Sequence, residues 1–161
     1  MKITDEIFNK KIKPLIAQST YCSIATVSKE GIPHVTPIGS VIIKTKDKGI
    51  FFEKFTKNIP ENSKQNQLAT IMFVNDGNWF WLKSLFKGQF KTPPAIRMVI
   101  KFGKLRQEKD EEGGVFKRKV KMFSFTKGHQ ILWSDMSHVR EFEIIDFKPV
   151  FIGKMTREQF I

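Results

Sequence analysis

Lys54, Thr56, Lys57 and Asn58 fall within five residues, in the stretch FEKFTKN, immediately before a segment of helical polarity. Two ammonium groups, a hydroxyl and an amide next to a helix N-terminus are the donor set that a phosphate dianion needs. Glu53 is wrong for that task unless its carboxylate points away. Upstream, CSIATVSKEGIPHVTPIGSV reads as a short strand, a Lys29-Glu30-Gly31 turn and a second strand through Pro33, His34, Thr36, Pro37 and Gly39. A strand with a polar backbone edge beside a basic loop can cradle a phosphorylated planar ligand. His34 could touch such a ligand; the ordinary alternative is a packing histidine with one satisfied hydrogen bond. No Ser, Cys or Thr has a spacing-matched His partner, so an enzyme built from this chain would take its chemistry from a cofactor and supply the orientation.

Composition narrows the classes. The chain has 161 residues, 40% of them hydrophobic, and is expected to form a single domain over 1–161 with a real core. Sixteen Phe and three Trp stand against one Tyr. Cys22 is the lone cysteine, which excludes an internal disulfide, and His129 and His138 are too scattered to make a metal site with His34. No apolar run approaches the ~20 residues of a membrane span, and the charged N-terminus lacks the apolar core of a signal peptide, so a cytoplasmic protein with no membrane partner is expected. A net charge of +12 attracts phosphates, nucleic acid or anionic surfaces. The lysines are spread over several elements, and no zinc-finger or helix-turn-helix spacing accompanies them, which disfavours nucleic acid.

The elements that position these residues follow from periodicity. Residues 3–18 read as a helix capped by Thr4, with Asp5 and Glu6 in its first turn and a stripe of Ile7, Phe8, Ile12, Leu15 and Ile16; Pro14 is expected to bend or split it. Strands are expected over 21–27, 34–44, 49–55 and 68–74, with a helix over 57–67 whose first turn takes Pro60. The segment 75–94 holds Trp79, Phe80, Trp81, Leu82, Leu85, Phe86 and Phe90 between turn signals and reads as an inserted amphipathic helix, fit for a dimer interface, the core or ligand stacking. A strand over 95–107 with Gly103 as a bulge follows, then a basic amphipathic helix over 115–125, strands over 140–145 and 149–153, and a helical tail over 156–161. Arg97 sits on the 95–107 strand, where a surface salt bridge is its ordinary fate. The Lys117-Arg118-Lys119 run reads as a solvated helix face. The sum is a mainly β protein with α: a split β-barrel of about six mostly antiparallel strands with capping helices.

The segment 24–73 resembles the pyridoxamine 5'-phosphate oxidase-like family, whose fold is the FMN-binding split barrel. The residues that carry it are Ala25-Thr26-Val27, the Gly31-Ile32-Pro33-His34-Val35-Thr36-Pro37 entry, Phe51-Phe52 and Leu68-Ala69-Thr70-Ile71. The resemblance implies a homodimer with FMN at the subunit interface. By position it implies that Thr36, Pro37, Ile38, Gly39, Ser40 and Val41 face the flavin ring, with Glu53, Lys54, Thr56, Lys57 and Asn58 on the phosphate side. Two departures stand out. Where the family carries an Arg-Lys pair or a Lys followed by Asn, this chain has Asn58 and Ile59, with Asn62 trailing. The C-terminal Arg- and Trp-bearing signature of true pyridoxamine phosphate oxidases is not visible, Arg157 included. Vitamin B6 oxidation is therefore not expected. The implied activity is that of a small FMN-dependent oxidoreductase. The alternatives are a non-enzymatic module of the same fold holding FMN, the deazaflavin F420 or haem, and a basic barrel that stacks nucleic-acid bases on its aromatics.

Overall fold

The computed structural model describes residues 3–20, 22–54, 56–109, 111–114, 121, 124–128, 131 and 136–156. The expected basic helix over 115–125 lies largely outside these residues. So do residues 157–161 of the expected tail, Arg157 among them, and the strand ends at Tyr21 and Phe55.

Helix α1 (Asp5–Ile7) begins at Thr4, whose Oγ1 accepts from the Ile7 N–H at 3.3 Å. It runs through a π-helical segment, Phe8–Ile12, into α2 (Lys13–Ala17). The π segment ends two residues before Pro14, which has no N–H for a regular bond back along the helix. Phe8, Ile12 and Leu15 turn inward, and the Phe8 ring meets Phe147 at 6.1 Å.

Seven strands follow: β1 (Cys22–Val27), β2 (Pro33–Ile38), β3 (Ile42–Ile43), β4 (Lys48–Phe52), β5 (Leu68–Val74), β6 (Ala95–Gln107) and β7 (His138–Pro149). Helix α3 (Asn58–Gln65) joins β4 to β5, and α4 (Asn78–Lys87) joins β5 to β6. The expected strand over 34–44 is broken into β2 and β3 by Gly39, Ser40 and Val41, because the chain turns a corner there. The two expected C-terminal strands are instead one long β7 followed by a 3-10 turn at Gly153–Met155; β7 is held throughout by pairing with β6.

All pairings are antiparallel, in the order β2-β1-β5-β6-β7-β4-β3. The order itself requires curvature. The outermost strands, β2 and β3, are consecutive in sequence, and four Cα steps of ~3.8 Å from Ile38 to Ile42 reach at most about 15 Å. Flat, six inter-strand steps of ~4.8 Å would separate them by about 29 Å. The sheet therefore curls into a split barrel. Register shifts between Val99 and Ile100 and between Phe102 and Leu105, the second around Gly103, bend the long β6–β7 pair.

Ile24, Phe51, Ile71, Met98, Ile100 and Phe142 fill the interior beneath the N-terminal helix. Strand β4 is buried on both faces: Phe51 joins that core, while Ile50 and Phe52 pack on the other side with Val139. Gly49 is required on β4, because a Cβ there would lie 2.4 Å from the Phe142 ring.

Candidate functional site

The corner between β2 and β3 meets the loop after β4. Ser40 is buried and donates its hydroxyl to the carbonyl of Phe52 at 3.2 Å. Phe52 is the last residue of β4, so this bond fixes the Thr36–Val41 stretch against the root of the 53–58 loop. Ile38 and Val41 anchor the corner in the core, Thr36 is half-buried, and Pro37 and Gly39 are exposed. The two groups of residues named for ring and phosphate therefore stand at one corner of the barrel.

Within the loop, the Thr56 hydroxyl is buried and has no hydrogen-bond partner. Leaving such a group unpaired costs about 1–3 kcal/mol. Lys57 stands at the N-cap of α3, and no side chain caps that terminus; in the first turn Ile59 is enclosed and Pro60 has no N–H, which leaves Asn58 as its exposed residue. Lys54, Lys57 and Asn58 are exposed around it. A hydroxyl, the Asn58 amide and two ammonium groups are donors of the kind an anion needs.

Helix α3 is held from beneath. Ile59 is fully buried, so it anchors the helix and offers nothing to a ligand. Asn62 is buried as well; its Nδ2 donates to Thr26 Oγ1 at 2.8 Å and lies 3.1 Å from His34 Nδ1. An amide nitrogen only donates, so His34 Nδ1 is the acceptor in this contact. Asn62, the trailing residue of the loop pattern, is thus spent on clamping α3 to β1 and β2. His34 is half-buried and has the single satisfied nitrogen of a packing histidine.

Glu53 is turned toward β7. Arg140 donates Nε to Glu53 Oε2 at 2.5 Å and Nη2 to Oε1 at 2.8 Å, a two-pronged grip with Nη1 on the Gly103 carbonyl at 3.3 Å. The Glu53 side chain is 6% exposed and that of Arg140 14%. The charge that was wrong for phosphate binding is neutralised and directed into the protein. Sequence reasoning missed Arg140, which is 87 residues from Glu53, and missed the Asn62–Thr26 clamp. No local spacing carries either pairing.

The aromatic segment divides. Phe80 stacks on Phe90 at 5.6 Å, Trp81 meets Phe90 edge-on at 5.2 Å, and Trp81 Nε1 donates to the Asn75 carbonyl at 2.7 Å. Trp79 is 74% exposed. Arg97 lies exposed on the outer face of β6, between Met72 and Lys148 of the neighbouring strands. Among the described residues no group of three His, Cys, Asp or Glu side chains could hold a metal ion, and no helix is long and apolar enough to cross a membrane.

The model of the pyridoxamine 5'-phosphate oxidase family matches residues 8–146. Among the curated proteins none matches this sequence. Solved structures do match in fold. An FMN-binding protein from Syntrophomonas wolfei subsp. wolfei superposes with a TM-score of 0.61 at 18% identity, over 92% of this chain and 89% of its own. An F420 reductase gives 0.57 at 12% identity, over 84% and 94%. HutZ, the haem storage protein from Vibrio cholerae, gives 0.55 at 12% identity, over 86% and 91%.

Proposed function

This chain belongs to the pyridoxamine 5'-phosphate oxidase family, and from that premise we propose that it is an FMN-binding flavoprotein acting as a small oxidoreductase at the interface of a homodimer. The observation that carries the proposal is the buried, unpartnered Thr56 hydroxyl at the uncapped N-terminus of α3. The residues fit the group. Thr56 and the start of α3 at Asn58 donate to the flavin phosphate, and Lys54 and Lys57 balance its charge. Arg140 keeps the Glu53 carboxylate away from it. The backbone from Thr36 to Ser40, pinned through Phe52, orients the ring edge. When bound, FMN supplies hydride or electron transfer.

The outer face of β2, β1 and β5 supports the dimer. Val35, Val27, Leu68, Met72 and Val74 are all exposed on it, and cross-strand pairing joins Val35 through Ala25 to Thr70. A contiguous apolar sheet face of this kind calls for a partner, and a second copy covering it would close the cofactor cleft from the other side. Oxidation of pyridoxamine phosphate is not part of the proposal.

A second reading keeps the fold and drops the turnover: a module that holds FMN, F420 or haem, as the storage role in the name of one structural neighbour illustrates. It is favoured by Ile59, which stands in the family's cationic position and is fully buried. The visible spectrum of the purified protein after FMN addition and removal of free ligand separates the readings. Retained flavin that nicotinamide donors reduce supports the oxidoreductase. Retained flavin without turnover supports the binding module, and no retained flavin overturns FMN binding.

A further inference from the structure

Helix α4 is apolar on both sides, yet it lies at the surface. Its inner side is held by the Phe80–Phe90 stack and the Trp81–Phe90 contact, and Ser84 is buried there. Its outer side presents Trp79, Leu82 and Phe86 at i, i+3 and i+7, with Leu85 beside them; their exposures are 74%, 45%, 84% and 63%. A helix that is hydrophobic all round is normally enclosed, so the outer stripe calls for a covering phase.

Charge indicates which phase. Residues 77–94 contain Lys83, Lys87 and Lys91 and no acidic residue. Lys83 and Lys87 flank the stripe along one edge. A groove of about 670 Å³ opens beside them, lined by Trp79, Phe80 and Phe90 together with these lysines and Lys10, which Glu6 holds at 2.8 Å. No carboxylate is among the residues lining it.

From this juxtaposition we propose that α4 is a docking surface for an anionic phospholipid bilayer. Trp79, Leu82, Leu85 and Phe86 enter the headgroup boundary while Lys83, Lys87 and Lys91 sit against the lipid phosphates. Ten helical residues span about 15 Å, half of a ~30 Å hydrocarbon core, so the helix lies on the membrane rather than across it. The charged side chains lining the groove are all lysines, which suits lipid phosphates. A symmetric contact with a second copy would bring together two surfaces whose charges are all cationic. The surface reading departs from the expectation of no membrane partner, which rested on the lack of a spanning segment and of a signal-peptide core and did not consider a helix lying on the surface.

The test is sedimentation of the intact protein with vesicles of phosphatidylcholine alone and of phosphatidylcholine mixed with phosphatidylserine. Pelleting with the anionic vesicles only, reversed by high salt, is expected. The double variants Trp79→Ser with Phe86→Ser, and Lys83→Glu with Lys87→Glu, are each expected to lower partitioning at least about tenfold. These side chains are exposed, and circular dichroism checks that the variants fold. Failure to pellet with either vesicle overturns the proposal, as does equal pelleting with both, or variants that pellet like the parent. A change of oligomeric state on Phe86→Ser in sedimentation velocity overturns it in favour of a second copy.

Discussion

Arg140 holds both carboxylate oxygens of Glu53, at 2.5 and 2.8 Å, and thereby ties the root of the loop before α3 to strand β7. The pair is nearly enclosed, so removing one partner leaves the other charge buried without compensation. Arg140→Gln is expected to destabilise the protein by roughly 3 kcal/mol and to weaken FMN binding at least about tenfold, because an unmatched carboxylate then faces the phosphate loop. Adding Glu53→Gln should restore most of both losses. A double-mutant cycle read by urea unfolding and FMN titration checks this; additive losses would mean that the pair does not act as a unit.

Thr56→Val keeps the shape of the side chain and removes the hydroxyl. FMN affinity should fall about tenfold, the loss of one hydrogen bond to a charged group. Lys54→Ala combined with Lys57→Ala should reduce it further. Riboflavin, which lacks the phosphate, should bind all three proteins equally. If both ligands weaken in parallel, or if the lysine pair has no effect on FMN, the phosphate site is assigned to the wrong loop.

Val35→Glu places a carboxylate at the centre of the exposed β2-β1-β5 face, where Val35 is 67% exposed. Little change in monomer stability is expected, together with a shift from dimer to monomer in sedimentation equilibrium. Retained dimer would place the interface elsewhere.

Glu112 is buried and accepts from Arg106 Nη1 and Nη2, the Lys44 ammonium and the Lys109 N–H. Hydrogen bonding by Arg106 holds its carboxyl well below the usual range, against the opposing effect of burial, and Lys44 adds to the lowering. Glu141, bonded to Arg106 Nε at 2.6 Å, is lowered for the same first reason. A folded-state pKa below the unfolded one means that protons bind the unfolded chain more readily. This stabilisation is therefore complete above the ordinary carboxylate range and is lost as pH falls through it. Glu112→Gln should cost roughly 2–3 kcal/mol at neutral pH, since Arg106 is partly solvated, and less in acid. Unfolding curves of both proteins should converge as pH drops through the carboxylate range; a constant gap would remove the assignment.

Gly49→Ala is expected to destabilise by about 2–3 kcal/mol without touching the site, because the new methyl meets the Phe142 ring and the Ile42 carbonyl. Pairing it with Phe142→Leu should recover part of the loss, as measured by thermal unfolding. No rescue would mean that the Ile42 carbonyl, not the ring, sets the limit.

The sequence by itself determined what local chemistry can encode. Alternation placed β5 at Leu68–Val74 and β6 at Ala95–Gln107, and Gly103 marked the bulge between β6 and β7. Thr4 announced the first helix, and Lys54, Thr56, Lys57 and Asn58 gathered the donors of the proposed anion-binding loop, because side-chain type and period are properties of neighbours along the chain. The tertiary structure decided what depends on closure. The corner at Gly39–Val41 exists because β2 and β3 are the two outer strands of one curled sheet, which no local pattern records. The same holds for the direction of Glu53, set by Arg140, for the burial of Ile59 and Asn62 beneath the loop, and for the split of the aromatic segment into an anchored side and an open one. Each is a contact between residues far apart in sequence. Its free energy is realised only once the barrel has paid the entropy of bringing them together.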